Sequence, residues 1–228
     1  MVHRPVRTFV AGLLVSVTIV AGCGSAGVTP APSGRPPAGL AAGTYASGAF
    51  LPALTFTVPG GWEKSADAPT YLQLRPAGSE VAGIHLFRNP AAASQDLSCP
   101  ETAEPGVGRT STELAAWIRA RPGLVVGDPK LASVGGLRGV EIDLAIIAGW
   151  TASCPFAEGS PTVPLFVGAN REYRWVVAGT ERLRLYLLDI PGGGTLVVDI
   201  DAFDGTLMDA LLAAATPIVR SFAFAASG

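Results

Sequence analysis

Acidic residues near the C-terminal end have the spacing that comes closest to a chemical site. Asp199 and Asp201 are two residues apart, so they project from one face of a strand, and Asp204 follows them. A helix–loop–helix calcium site needs its third ligand at position five and a glutamate at position twelve, where this chain has Ala210. We therefore expect a solvated strand face leading into a helix cap at Asp204, and no metal site.

A pair of carboxylates in the middle of the chain suggests a second type of chemistry. Glu141 and Asp143 share a strand face and could serve as the two acids of a glycosidase. Arg182 or Arg184 on another strand could neutralise them. We expect such cross-strand ion pairs, because they explain the carboxylates without a sugar site.

The histidine content argues against nucleophilic catalysis. The sequence has two histidines, His3 at the N-terminus and His85 within the apolar run Gly83–Phe87. A serine nucleophile needs a base beside it, and the surroundings of His85 favour a structural role on the face of a sheet. We predict no catalytic residue and no cofactor, so the protein is not expected to be an enzyme.

Three tryptophans are the remaining candidates for a binding site. Trp62 and Trp150 lie in or beside predicted loops, and Trp175 lies in a predicted strand. A cleft lined by them could take an apolar or sugar-like ligand. For Trp62 and Trp175 we expect core positions.

The elements that must position these residues follow from local patterns. Thr110 and Glu113 form a capping box for a helix that reaches Arg121, and Asp204 caps a second helix that Pro217 should end or kink. Alternating polarity and glycine-rich turns predict strands at 54–58, 71–75, 81–88, 140–148, 163–167, 173–178, 183–190 and 195–202. The predicted fold class is α+β, a largely antiparallel sheet with two main helices packed on it.

Three short segments carry a resemblance to a known family. They are the opening Phe56–Trp62, the turn Pro191–Gly194 and the closing Pro217–Phe222. This pattern is similar to the PsbP-like α/β sandwich over about residues 50–224. The resemblance implies a binding or assembly factor and assigns no functional residue.

The N-terminal residues predict export and anchoring. A short basic segment precedes the uncharged run Phe9–Ala21, which has the length of a secretory apolar region and is too short to span a membrane. Ile19–Cys23 resembles the lipobox of bacterial lipoproteins, here of the actinobacterial type. The resemblance implies cleavage before Cys23 and lipid attachment to its sulfur. We predict a signal peptide at 1–22, a Gly/Ala/Pro-rich tether at 23–47 and a single globular domain at 48–228.

The predicted location outside the cytoplasm guides the interpretation of the two remaining cysteines and of the function. We expect a lipid-anchored protein on the extracytoplasmic face of the cell membrane. That compartment is oxidising, so Cys99 and Cys154 are expected to form a disulfide. The net charge of −2 gives no footprint for nucleic acid. We expect a non-enzymatic binding or accessory protein, with an unknown envelope protein or small ligand as partner. The alternatives are a carrier of apolar ligands with a closed cavity, or a carboxylate-based envelope hydrolase.

Overall fold

The structure, a computed structural model, describes residues 39–168, 171 and 173–225. Two α-helices lie in this part of the chain, α1 (Ser111–Arg119) and α2 (Met208–Arg220). The strands are β1 (Gly43–Ala46), β2 (Leu54–Val58), β3 (Trp62–Ala68), β4 (Tyr71–Pro76), β5 (Ala82–Arg88), β6 (Ala91–Ala92), β7 (Leu124–Val126), β8 (Lys130–Val134), β9 (Leu137–Ile146), β10 (Thr162–Val167), β11 (Arg174–Ala178), β12 (Arg182–Asp189), β13 (Thr195–Ala202) and β14 (Ala223–Phe224).

Eight strands form one antiparallel central sheet. Seven of them run in the order β3-β4-β5-β13-β12-β9-β7, and β8 pairs with β9 beside this path. The β12–β13 hairpin is in register along its whole length, from Arg182 opposite Ala202 to Asp189 opposite Thr195. The predicted α+β class, with mostly antiparallel sheets and two helices, is confirmed.

Each face of the central sheet is covered by one helix and one small sheet. Helix α2 and the sheet β1-β2-β14 cover one face, and α1 and the sheet β11-β10-β6 cover the other. Strand β13 serves both cores, because Val198 and Ile200 point to the α2 side and Val197 points to the α1 side. All eight residues of β13 are consequently buried.

Helix α1 begins as its sequence predicts. The Thr110 side chain accepts a hydrogen bond from the Glu113 backbone, and the Glu113 carboxylate accepts one from the Thr110 backbone. A second cap is supplied from a distance, since the Asp189 carboxylate accepts bonds of 2.7 and 2.8 Å from the backbone and hydroxyl of Ser111. The negative charge at this helix end also complements the helix dipole.

Helix α2 does not end at Pro217, which was one of the two outcomes predicted for this proline. Asp204 caps a single 3₁₀ turn, Gly205–Leu207, and the α-helix follows it. Pro217 lies inside the helix, which continues to Arg220. Ile218 and Val219 pack into the α2-side core, and their burial offsets the backbone hydrogen bond that proline cannot donate.

The folded part begins earlier than the sequence predicts. The tether was expected to reach residue 47, but Gly43–Ala46 form β1 on β2, and Leu40 bridges to Trp62. Tyr45 stacks on Phe56 with ring centroids 6.2 Å apart, so one aromatic side chain anchors a segment whose composition suggested a spacer. The predicted signal peptide and Cys23 lie outside the described residues.

Three strands of the central sheet were not predicted. Strand β3 carries a charged or polar side chain at most positions, and β7 and β8 are short. All three lie toward the ends of the sheet. They form strands because they pair with a neighbouring strand, and their sequences lack the apolar alternation by which a strand is recognised.

The predicted disulfide is present between Cys99 and Cys154, with an S–S distance of 2.02 Å. It joins two surface loops that are 55 residues apart in sequence, and both half-cystines are buried. Within the described ranges, no helix is both long enough and apolar enough to cross a membrane.

Candidate functional site

Four ionisable side chains meet beneath the sheet β11-β10-β6, on the α1 face of the central sheet. His85 on β5 pairs with Asp199 on β13, and Gly83 pairs with Asp201, so the histidine and both acids lie on one face of adjacent strands. Glu181 joins them from the turn before β12. All four are at least nine-tenths buried, with relative exposures of 4% for His85, 5% for Glu181, 0% for Asp199 and 6% for Asp201. We call these four residues the polar cluster.

The polar cluster corrects the sequence-based expectation for Asp199 and Asp201. Their alternation with apolar residues predicted a solvated strand face, but β10 and β11 cover that face. The chain contains no nearby sequence signal for this covering, because β10 is buried on both sides and resembles any core strand. Asp204 is exposed and caps the 3₁₀ turn that precedes α2, whereas the sequence predicts it as the cap of the α-helix itself, which has Leu207 at that position. Among the described residues no group of three or more His, Cys, Asp and Glu has a metal-binding arrangement.

His85 connects the polar cluster to an aromatic hydroxyl. The Tyr71 hydroxyl lies 2.8 Å from His85 Nδ1, and Asp201 Oδ1 lies 2.8 Å from His85 Nε2. The Asp201 contact is an ion-pair contact without an aligned hydrogen bond. A carboxylate beside Nε2 favours the proton on that nitrogen, which leaves Nδ1 free to accept from Tyr71. Glycine at position 83 gives the ring room, since a Cβ there would lie 3.2 Å from Nε2.

Two acids of the polar cluster, Asp199 and Glu181, keep their protons to higher pH than ordinary carboxyl groups. Burial and then the neighbouring charges of Asp201 and Glu181 raise the pKa of Asp199 well above its usual value. Burial and then the charge of Asp201 raise the pKa of Glu181 to about 8, although Glu181 accepts a hydrogen bond from the Ala178 backbone. Asp199 and Glu181 therefore stay protonated at pH values at which an exposed carboxyl group is ionised.

Aromatic rings separate the polar cluster from solvent. Trp175 on β11 lies with its ring centroid 4.4 Å from that of His85 and 5.0 Å from that of Phe87. Its indole N–H donates to Asp199 Oδ2 at 2.7 Å. Tyr71 lies 5.3 Å from Phe87 and 6.1 Å from Tyr173 between centroids. The sequence predicts a core position for Trp175, but its side chain is half-buried and is hydrogen-bonded to the buried Asp199.

An open cavity of about 570 Å³ lies on the outer side of these rings. It is bounded by the β3–β4 hairpin on one side and by the start of β11 on the other, and Tyr71, Tyr173 and Trp175 supply its aromatic walls. We call it the aromatic pocket; its lining is completed by Ala68, Pro69, Thr70 and Arg174. Its volume falls in the range of small-molecule sites.

Arg174 borders the aromatic pocket, but its guanidinium group is engaged elsewhere. Nη1 donates to the Cys99 carbonyl oxygen at 3.2 Å and lies 3.5 Å from the Glu101 carboxylate. The guanidinium carbon also lies 3.9 Å from the centroid of the Phe156 ring. These partners belong to the two loops that the disulfide joins, so the disulfide helps to hold this side of the pocket.

The predicted carboxylate pair and the two arginines expected to neutralise it lie apart from the polar cluster and the aromatic pocket. Arg184 makes a bidentate pair with Asp143 at 2.7 and 2.9 Å and lies 3.4 Å from Glu141, which confirms the predicted cross-strand pairing for Arg184. Arg182 instead lies 3.5 Å from Asp209 on α2. Hydrogen bonding to Asp143 raises the pKa of Arg184, so the group stays charged.

The other two candidate tryptophans have structural positions. Trp62 is 4% exposed in the α2-side core, as predicted. The Trp150 indole N–H donates to the Thr162 carbonyl oxygen at 3.0 Å beside the disulfide. Three residues of the site, Tyr71, Tyr173 and Glu181, are not among the site residues that the sequence predicts. Tyrosine at the start of a strand after a tight turn was the available signal for Tyr71.

No family model matches the chain, and no curated protein matches it. Among solved structures the chain is similar to a protein from Bacteroides thetaiotaomicron VPI-5482, with 8% sequence identity and a TM-score of 0.35. The match covers 77% of this chain and 46% of that chain, so this chain spans about half the length of the protein it matches.

Proposed function

We propose that this protein is a lipid-anchored, extracytoplasmic binding protein that holds a small ligand in the aromatic pocket. The observation that supports it most is the position of Tyr71 and Trp175. Each lines an open cavity of about 570 Å³ and is hydrogen-bonded on its inner side to the polar cluster. Side chains fixed in this way form a largely preformed site, which lowers the entropic cost of binding.

The placement of the acids favours binding over catalysis. Asp199 and Asp201 lie behind the aromatic rings, where substrate in the pocket does not reach them directly. Glu141 and Asp143 hold Arg184 between them. A glycosidase needs one free acid and one free base on either side of the sugar bond, and these pairs are committed to other partners.

The position of the pocket distinguishes this proposal from an apolar-ligand carrier. A carrier was expected to enclose its ligand between the sheet and a helix. The aromatic pocket instead lies between the β3–β4 hairpin and β11 and opens to solvent. A ligand bound there keeps one side exposed, which suits a protein that presents or hands over its ligand at the envelope.

We also propose that the domain is a PsbP-like α/β sandwich. This is supported by the three sequence segments Phe56–Trp62, Pro191–Gly194 and Pro217–Phe222, and by an antiparallel sheet with helices on it. Such a fold alone leaves the ligand open, so the function rests on the site.

Native mass spectrometry of the full chain, extracted from its own membrane in detergent, tests the binding proposal. We expect a non-covalent adduct that is lost in a Thr70→Trp variant, because a large side chain at this half-buried turn position fills the pocket from its rim. Ser79→Trp, in the turn at the other end of β4, is the matched control and should keep the adduct. An adduct equally present in both variants, or absent from the wild type, would contradict the proposal.

The anchor is tested by Cys23→Ala. Two acyl chains hold a protein stably on a membrane, whereas a protein without them is released. We expect the variant to move from the membrane fraction to the soluble fraction with an unchanged thermal midpoint. A wild-type protein whose mature mass carries no lipid would refute this part of the proposal.

A further inference from the structure

We propose that the aromatic pocket selects organic ammonium cations over neutral molecules of the same shape. The inference rests on the proposed binding function and adds the chemical class of the ligand. Three features of the described residues support it: the aromatic walls, the direction of their hydrogen bonds, and the acids that lie behind them.

The walls suit a cation. Tyr71, Tyr173 and Trp175 bring three rings to one cavity, with the centroids of Tyr71 and Tyr173 6.1 Å apart. Ring faces carry negative electrostatic potential, and tryptophan attracts cations more strongly than the other aromatic side chains. A methylated ammonium group gains from this potential and from apolar contact at the same time.

The hydrogen bonds of the walls direct donors away from the pocket. The Trp175 N–H is used by Asp199 at 2.7 Å. With the His85 proton on Nε2, the nitrogen beside Asp201, Nδ1 accepts a hydrogen bond from the Tyr71 hydroxyl at 2.8 Å. The Tyr71 oxygen then presents lone pairs, which are acceptors for a ligand that donates. Donation by the Trp175 N–H to a carboxyl oxygen and by the Tyr71 hydroxyl to an imidazole nitrogen also enriches both ring systems in electrons.

The charges around the pocket favour a positive ligand. Three buried carboxyl groups face one histidine in the polar cluster, and Asp199 Oδ1 has no hydrogen-bond partner among the described residues. Arg174 is the cation beside the pocket, and Cys99, Glu101 and Phe156 hold its guanidinium group. A ligand cation in the pocket therefore lies in the field of the buried acids behind the rings, which it can help to ionise, without a free Arg174 guanidinium group to repel it.

Calorimetric titration with choline and with its neutral carbon isostere, dimethylbutanol, tests the inference on the full chain in detergent. We expect choline to bind about tenfold more tightly than dimethylbutanol, because only choline gains from the ring faces and the acids. Asp199→Asn keeps an acceptor for Trp175 and removes the carboxyl group that a bound cation would help to ionise. It should weaken choline binding about fivefold and weaken dimethylbutanol binding less.

Asp204→Asn, the same substitution at an exposed acid, is the matched control and should change neither affinity. Equal affinities of the wild type for the two probes would overturn the inference and leave the proposed binding function in place. Absence of binding by both probes would also overturn it, and the adduct comparison between Thr70→Trp and Ser79→Trp would then decide the binding function separately. The comparison of the two probes needs only the wild-type protein, so it stands even if Asp199→Asn fails to fold.

Discussion

The free energy of unfolding is expected to fall as the pH rises from about 5 to about 8, and a Glu181→Gln variant should lose the part of that fall that Glu181 contributes. In the unfolded chain Glu181 ionises near 4.5, whereas burial and the Asp201 charge keep it protonated in the folded protein up to about 8. The folded state therefore binds more protons than the unfolded state between these values. A raised pKa adds stability that is complete below 4.5 and is lost as the pH passes 8.

The size of this pH dependence follows from the difference between the pKa values of Glu181 in the unfolded and folded states. Each unit of pKa difference corresponds to about 1.4 kcal/mol, so Glu181 contributes at most about 4 kcal/mol across this range. Asp199 acts in the same direction, because burial raises its pKa too. Asp67 does not affect the stability in this pH range. Burial opposes ionisation of its carboxyl group, but hydrogen bonds from Lys64 and from three backbone N–H groups outweigh burial and lower its pKa to about 2. The stability that ionised Asp67 contributes is therefore lost only as the pH falls below 3.8.

Urea unfolding at intervals from about pH 5 to about pH 9 measures this dependence. Glu80→Gln, at an exposed glutamate, is the control and should follow the wild-type curve. Parallel curves for the wild type and Glu181→Gln would show that the carboxyl of Glu181 titrates normally, and the description of the polar cluster would then be wrong.

Removal of the disulfide is expected to cost about 4 kcal/mol of stability, because the bridge closes a long loop and restricts the unfolded chain. The closed loop spans 55 residues. For a domain of this size the loss corresponds to a decrease of about 8–16 °C in the thermal midpoint. A Cys99→Ala/Cys154→Ala double variant removes the bridge without leaving a free buried thiol.

The wild-type protein treated with dithiothreitol serves as the comparison, and its midpoint should match that of the double variant. Because the bridge joins the two loops that hold Arg174, we also expect the variant to bind pocket ligands more weakly. A midpoint within about 2 °C of the oxidised wild type would mean that the bridge adds little to stability.

Elements with a complete local signal were predictable from the sequence. The capping box of Thr110 and Glu113 marks the start of α1, and alternation over 183–202 marks the β12–β13 hairpin. These signals need only neighbouring residues. The disulfide was predictable because two cysteines remain once Cys23 is assigned to the lipid.

The candidate site was only partly predictable, because it depends on strands that are distant in sequence. Asp199 and Asp201 alternate with apolar residues in the same way that solvated acids do. They are buried because β11, which follows β10 and precedes β12 in sequence, folds over them and supplies Trp175. The sequence near residue 199 does not indicate that β11 will cover these acids. Tyr71 comes close to His85 only because β4 pairs with β5.

The indole N–H resonance of Trp175, followed by nitrogen-15 NMR during the choline titration, shows whether the ligand binds in the aromatic pocket. The sequence has four tryptophans, and a Trp175→Phe spectrum assigns the resonance by its absence. The account predicts that choline shifts the Trp175 signal, whose N–H donates to Asp199, while the signals of Trp62 and Trp117 in the two cores stay in place. A Trp175 signal that does not move while choline binds would show that the aromatic pocket is not the binding site.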